Sequence, residues 1–459
     1  MREKYLIVLK RMAAACMAVQ ILLGAAWALC NCRAVPEFGD TAEYLMLSET
    51  LYLDEYRPVL FPLLLRGIQR IASVCGLPYQ CLLYAGQAAL NAGAIWLTVR
   101  TVFALAGIRA GKGIRALTTL YIFSIPLILW MNFSVLTDSL ALSALLLMLN
   151  GLIWYMSDRG HPAGNWLLIG AAYVCQALLR ADRQYSCLVL LILCVAAKAF
   201  RGRKEKKTAS LRERGQRCAC GLLLPAVVIL TGLGTVRLVN AHTQIPGANG
   251  RIRTNLSFIL LDRVVYGHFA ENYDRMPEEA TAVISLEEAQ HSDRQNNDCM
   301  YILAPRLEEA YGRERAAGLE REMARVVWER SPGTVMGDIL EDIFCFVCMP
   351  FASFLFEIGA ADLNKAWTIR CMSSVSGTLT QGMHSWFAYT FGLGMSLLLP
   401  LLYLRRREAA KRAACLGSCI AMTILIALWF GIGDGCPPND RYQLIGYVTW
   451  ALLAANALL

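Results

Sequence analysis

Asp40 and Glu43 stand three residues apart in Gly39-Asp40-Thr41-Ala42-Glu43-Tyr44, directly after the first long apolar run of the chain. The spacing has two uses. An acidic N-cap with Glu at the third helical position forms a capping-box-like pair that holds a helix start. A carboxylate fixed in this way at a membrane surface can also take a proton from an acceptor hydroxyl. The two uses are compatible, because a cap fixes its own side chain in place.

Four further segments carry polar groups beside apolar runs. Tyr56-Arg57-Pro58 precedes an amphipathic stretch, and Arg57 reads either as an interfacial anchor or as an anion ligand. The turn Asn132-Phe133-Ser134-Val135-Leu136-Thr137-Asp138-Ser139 opens an uncharged run, where Asp138 is either an N-cap or a second acid of a site. Arg180-Ala181-Asp182-Arg183 closes another run, and Asp440-Arg441-Tyr442 opens the last. Arg180 has two readings, a local pair with Asp182 or a guanidinium fork for an anionic headgroup. Arg441, Tyr442 and Lys365 join the phosphate-binding candidates. Asn132 and Asn255 also match glycosylation sequons.

These residues are positioned by apolar runs. The chain has 459 residues, 56% of them hydrophobic, with a mean hydropathy of +0.44. Uncharged stretches recur at 12–30, 81–99, 116–137, 139–157, 162–179, 184–197, 218–236, 385–404, 413–433 and 443–459. Most approach the roughly 20 residues needed to cross a bilayer core. Only helices or closed barrels satisfy their backbone in lipid, so the expectation is an all-α polytopic membrane protein with about ten transmembrane helices. The first run resembles a signal peptide, but Leu29 is a poor residue before a cleavage site, which favours an uncleaved first helix.

Lysine placement orients the chain. Eight of the nine lysines (Lys4, Lys10, Lys112, Lys198, Lys204, Lys206, Lys207 and Lys411) fall on one side of an alternating topology. By the positive-inside bias that side is cytoplasmic, with both termini, and the far face is extracytoplasmic. Asp40, Asp138, Arg180 and Arg441 then share the far face with Lys365. The expected localisation is a plasma membrane.

Three domains follow. Residues 1–237 form an N-terminal transmembrane module of seven spans, including a first outer loop at 31–80. In that loop Glu43–Tyr56 reads as a helix, and the residues from Val59 to Ala72 as an amphipathic helix able to lie in the interface plane. Residues 238–384 form an extracytoplasmic insertion, mainly helical, with one helix over 306–330 ended by Ser331-Pro332. Its segment 339–357 reads as a re-entrant or interfacial helix. Residues 385–459 supply the last three spans.

Charge excludes one class of partner. The net charge of +9 comes from cytoplasmic anchors, since 198–217 holds nine basic residues against two Glu. Residues 240–340 carry 11 Arg, 16 acidic residues and no Lys. Nothing here forms a basic surface for nucleic acid. Of the 17 cysteines, those inside runs act as small hydrophobes, while Cys30, Cys32, Cys75, Cys299, Cys345, Cys348, Cys371 and Cys436 sit where disulfides can form.

The order of these motifs carries a resemblance. Asp40 is followed by Tyr56-Arg57-Pro58-Val59-Leu60-Phe61-Pro62-Leu63-Leu64, then Val135-Leu136-Thr137-Asp138-Ser139-Leu140, Leu178-Leu179-Arg180 and late Asp440-Arg441-Tyr442. Over about residues 1–200 and 385–459 the chain resembles GT-C-fold integral-membrane glycosyltransferases, related to protein O-mannosyltransferases and the aminoarabinose lipid A transferase. The resemblance implies an inverting transfer from a polyprenyl-phosphate-linked sugar to a saccharide, lipid or protein acceptor on the extracytoplasmic face. By position it implies Asp40 as the catalytic base, with Glu43 beside it and Asp138 as a second acid orienting the acceptor or a metal. Arg57, Arg180, Arg441, Tyr442 and Lys365 become candidates for the lipid phosphate. Asp40 lacks an adjacent second acid or a DxD pair, which leaves a divalent cation as an open question and no certain cofactor. The 238–384 insertion has no matching family motif and is expected to set acceptor specificity.

Two other functions compete. A lipid-linked glycan transporter or flippase would bury ionisable residues mid-span, and these runs are nearly charge-free. A saccharide ligase of the O-antigen-ligase type would also use outer arginines, so only donor and acceptor identity separates it.

Overall fold

The computed structural model describes residues 2–33, 39–51, 57–180, 183–204, 223–243, 268–291, 298–337 and 444–458, with short pieces within 340–343, 390–401 and 416–425. Every regular element among them is helical. The chain divides into two units, residues 1–252 with 350–423 and 444–459, and residues 253–349 with 424–443.

In the first unit the helices are α1 (Arg2–Asn31), α2 (Gly39–Thr50), α3 (Leu60–Cys75), α4 (Tyr79–Leu105), α5 (Lys112–Phe123), α6 (Pro126–Asn132), α7 (Asp138–Met156), α8 (Pro162–Leu179), α9 (Gln184–Lys204) and α10 (Leu224–Thr243). The segments Lys4–Leu29, Tyr79–Leu105, Asp138–Met156 and Pro162–Leu179 are long and apolar enough to cross a membrane. The α5–α6 pair makes a fifth if it counts as one span. Among the described residues, four or five of the ten expected spans thus meet that test. The apolar stretches Gln184–Ala199, Leu224–Val239 and Leu444–Ala455 fall short in length, and the runs at 385–404 and 413–433 lie largely outside the described residues.

The run 116–137 was expected to be one span. Instead it bends by 79° between α5 and α6. Pro126 lacks the N–H that would continue the ladder, and its ring pushes Ile125 into an extended backbone.

α7 is the centre of the bundle, with Leu142, Leu145, Leu146, Met148, Leu149 and Leu152 wholly buried. It packs on α4 and α8, and α8 packs on α10. Small residues set the approach. A Cβ on Gly151 of α7 would lie 2.7 Å from Ile169 Cγ1 of α8, and one on Gly170 of α8 would lie 2.5 Å from Val228 Cγ1 of α10. Without a hydrophobic drive between helices in lipid, such close contact and interhelical hydrogen bonds are what hold a bundle together.

α4 and α7 supply those bonds. Asn91 Nδ2 donates to Ser143 Oγ at 3.2 Å, Asn150 Nδ2 to Thr98 Oγ1 at 2.7 Å, and Trp154 Nε1 to Thr101 Oγ1 at 3.1 Å. On α4 these partners recur at helical spacing on a single face, so the row functions as a seam.

The second unit contains a 3₁₀ turn (Ala270–Arg275), α11 (Glu278–Val283), α12 (Leu286–His291), α13 (Asp298–Tyr311) and α14 (Arg313–Arg330). Phe269, Ala280, Ile284, Leu307, Leu319, Met323 and Val327 form its core. The single helix expected over 306–330 is broken at Gly312, whose φ of 75° is a left-handed conformation open to glycine. Its end at Arg330, before Ser331-Pro332, is as expected. α12 starts with a reciprocal capping box: Ser285 N donates to Glu288 Oε2 at 3.0 Å, and Glu288 N to Ser285 Oγ at 3.2 Å. α15 (Leu444–Leu458) belongs to the first unit and packs on α5.

Candidate functional site

α2 and α3 form a helical pair that lies on the bundle through contacts of α3 with α4 and α8. α3 is strongly amphipathic. It buries Phe61, Pro62, Leu65 and Ala72 and exposes Leu63, Ile71 and Val74. Gly76, at φ 66°, caps its C-terminus, and its N–H bonds to the Ala72 and Ser73 carbonyls.

Asp40 sits in the first turn of α2, and its carboxylate pairs with Arg57. Arg57 Nη2 lies 3.0 Å from Asp40 Oδ1, and the same guanidinium nitrogen also pairs with Glu43. The side chains are 18% exposed for Arg57, 28% for Asp40 and 45% for Glu43. One cation therefore holds two carboxylates in a partly exposed cluster.

Asp138 is the first residue of α7, and the N-cap position belongs to Thr137, which makes no side-chain cap bond. Arg180, extended just beyond the end of α8, pairs with Asp138. Asp138 is 1% exposed and Arg180 is 8% exposed. This contact replaces the N-cap reading of Asp138 and gives Arg180 a partner from another helix. Asp182 lies outside the described residues.

The turn that presents Asp138 is rigidly held. Phe133 is wedged between Trp27 of α1 and Tyr84 of α4, with ring centroids 5.7 Å apart in both pairs. Asn132 donates to the Ile128 carbonyl at 2.8 Å and accepts from Ser139 Oγ at 2.6 Å, while Gln87 Nε2 donates to the Leu136 carbonyl at 3.2 Å. Asn132 is fully buried, so its sequon is a packing feature.

Tyr44 joins the two ion-pair groups. Its ring packs edge-on against Phe61 at 4.9 Å and lies 5.8 Å from Arg57 Cζ. Its hydroxyl is turned toward the Thr137 side chain and feels the charges of Asp40, Arg180 and Asp138. Burial, and then the Asp40 charge, push the phenol well above its ordinary range, so it stays protonated. Tyr44 and Thr137 were not among the expected site residues. The four-residue step from Asp40 to Tyr44 is the signal that could have found the tyrosine, since it puts both on one helix face.

Asp40, Glu43, Arg57, Asp138 and Arg180 are thus gathered around Tyr44. Arg441, Tyr442 and Lys365 lie outside the described residues, as do Tyr56 and Asn255. Among the described residues, no three His, Cys, Asp or Glu side chains converge on a point. Cys32 and Cys75 are exposed thiols, not disulfides. Comparison with known protein families, with characterised proteins and with solved structures finds no match.

Such an arrangement can hold a negatively charged group at Arg57 while a carboxylate next to it accepts a proton. The buried Asp138–Arg180 pair supplies a fixed dipole, anchored in the bundle, against which Tyr44 is oriented.

Proposed function

We propose that the chain is a membrane glycosyltransferase that moves a sugar from a polyprenyl-phosphate donor to an acceptor hydroxyl on the extracytoplasmic face. The proposal includes a GT-C-like bundle of about ten spans with both termini cytoplasmic. The observation that carries it is the meeting of Asp40, Glu43 and Arg57 with Asp138 and Arg180 around one buried tyrosine. These residues come from three helix ends and one loop segment, a grouping for which the sequence order alone makes no demand.

In this reading Asp40 takes the acceptor proton as the acceptor oxygen attacks the anomeric carbon from the side opposite the phosphate. A single displacement of this kind inverts the configuration. The Arg57 guanidinium stabilises the charge that develops on the departing phosphate. Asp138, held by Arg180, orients the acceptor side of the site through Thr137 and Tyr44.

Mass spectrometry of the polyprenyl-phosphate pool in matched membranes, wild type against Asp40→Asn, tests the reading. A phospho-sugar that accumulates in the variant establishes the donor class and identifies the sugar by mass. An unchanged pool, with the variant inserted at wild-type level, would remove Asp40 from catalysis and favour glycan transport.

A further inference from the structure

The two arginines of the site are not equivalent. Both are already engaged by carboxylates, Arg57 by Asp40 and Glu43, Arg180 by Asp138. An incoming phosphate can reach a guanidinium only by displacing those partners. Arg180 and Asp138 are shielded from water, so drawing Arg180 away would leave a bare carboxylate in the interior. Arg57, Asp40 and Glu43 are partly solvated, and a carboxylate released there is taken up by water.

From this contrast we infer that Arg57 is an exchangeable latch: it holds Asp40 and Glu43 while the site is empty and passes to the phosphate monoester or diester of the bound donor. The inference rests on the glycosyltransferase reading for the identity of the donor, but the exchange itself is a property of the three side chains. With Arg57 engaged, Asp40 has a lone pair committed to a cation and is a poor base. With Arg57 on the phosphate, that lone pair faces the acceptor. As the bond from the acceptor oxygen to the anomeric carbon forms and the bond from that carbon to the phosphate oxygen breaks, the hydroxyl proton goes to Asp40. The bonding electron pair leaves on the phosphate oxygen beside Arg57. Donor therefore binds before acceptor, and the base is withheld from water until the donor is in place. Arg180 positions Asp138 and takes no part in binding the phosphate.

The arrangement makes a prediction opposite in sign to ordinary site damage. Removing the carboxylates that compete for Arg57 strengthens phosphate binding, whereas a loosened site binds more weakly. The test uses the full chain in lipid nanodiscs and calorimetric titration with a short-chain polyprenyl monophosphate and, separately, with inorganic phosphate. Asp40→Asn and Glu43→Gln are each expected to tighten polyprenyl-phosphate binding by up to about fivefold, the worth of one partly exposed ion pair. Arg57→Ala should abolish the saturable phase, and Arg57→Lys should restore part of it. The pair replacement Asp138→Leu with Arg180→Met, which leaves no buried charge behind, should bind like wild type.

Unchanged or weaker binding in both carboxylate variants overturns the exchange, as does wild-type binding in Arg57→Ala. Loss of binding in the Asp138/Arg180 replacement, with the chain folded, assigns the phosphate to Arg180 and also overturns it. Tightening by inorganic phosphate alone, without the lipid phosphate, overturns the assignment to a lipid-linked donor. The polyprenyl-phosphate pool measurement reports on the glycosyltransferase reading separately. An unaltered pool alongside tightened binding would sink that reading and leave the latch.

Discussion

Two carboxylate–arginine groups lie near Tyr44, built from the same chemical parts and placed in different surroundings. Asp138–Arg180 is shut inside the bundle, and Asp40–Glu43–Arg57 sits where water reaches it. In the interior, losing one partner strands a charge, at a cost of about 3–5 kcal/mol. At a partly exposed surface the same loss costs about 0–1 kcal/mol. The first arrangement suits a part that must not move, and the second a part that must exchange partners. Burial thus assigns the roles that residue type leaves undecided.

The contrast is most directly broken at Asp138. Asp138→Ala is expected to destabilise the protein by about 3–5 kcal/mol, read as a lowered unfolding midpoint in detergent and reduced accumulation in membranes. Joint replacement of Asp138 by Leu and Arg180 by Met should recover most of that stability without recovering sugar transfer. If Asp138→Ala unfolds with wild-type midpoint, the pair is not a structural anchor.

Asp40→Asn is the converse. Transfer should fall by about 10²–10⁴-fold, the range for loss of a general base, while stability changes by less than about 1 kcal/mol. Activity and unfolding midpoint measured on the same preparation separate the two. Equal damage to both would place Asp40 with the structural carboxylates.

Tyr44→Phe probes the link between the groups. Losing the phenol hydroxyl that faces Thr137 should cost up to about 1 kcal/mol. Adding Thr137→Val to that variant should cost little more, because the partner is already gone. Fully additive losses would show that the two side chains act independently.

The smallest effect belongs to the second unit, where ion pairs are surface features. Arg306, followed by the Ser285 backbone N–H, holds the Glu288 carboxyl down at about 2 against an ordinary 4.5. A depressed folded-state value contributes stability above 4.5 that is lost as pH falls through about 2. Hydrogen exchange of α12 should therefore quicken across that window, and Glu288→Gln should flatten the dependence. The unfolding of the first unit should not follow it.

Legibility differed along the chain for physical reasons. α8 spans Pro162–Leu179, the limits of its uncharged run, because Pro at the first position and a charged residue at the end mark both boundaries locally. α7 agrees with its run to within one residue because Asp138 and Asp158 bound it. The 116–137 run misled because hydropathy is blind to a proline bend. Gly312 likewise divides a charged amphipathic stretch whose apolar spacing reads as continuous on either side. At the site, Asp40, Glu43, Arg57, Asp138 and Arg180 stood out as charged residues at the ends of apolar runs. Their partners did not, since each lies far along the chain or competes with a nearer candidate such as Asp182.

The sequence by itself determined that this is an all-helical chain with apolar segments fit for a membrane, and that its unusual charges collect at segment ends. Local composition suffices for both, because helix formation and transfer into lipid depend on neighbouring residues. Only the tertiary structure decided that Arg180 belongs to Asp138, that Arg57 holds Asp40 and Glu43 together, and that Tyr44 lies near both groups. Those pairings depend on which helix ends meet and on how much water remains there, and no local pattern encodes either.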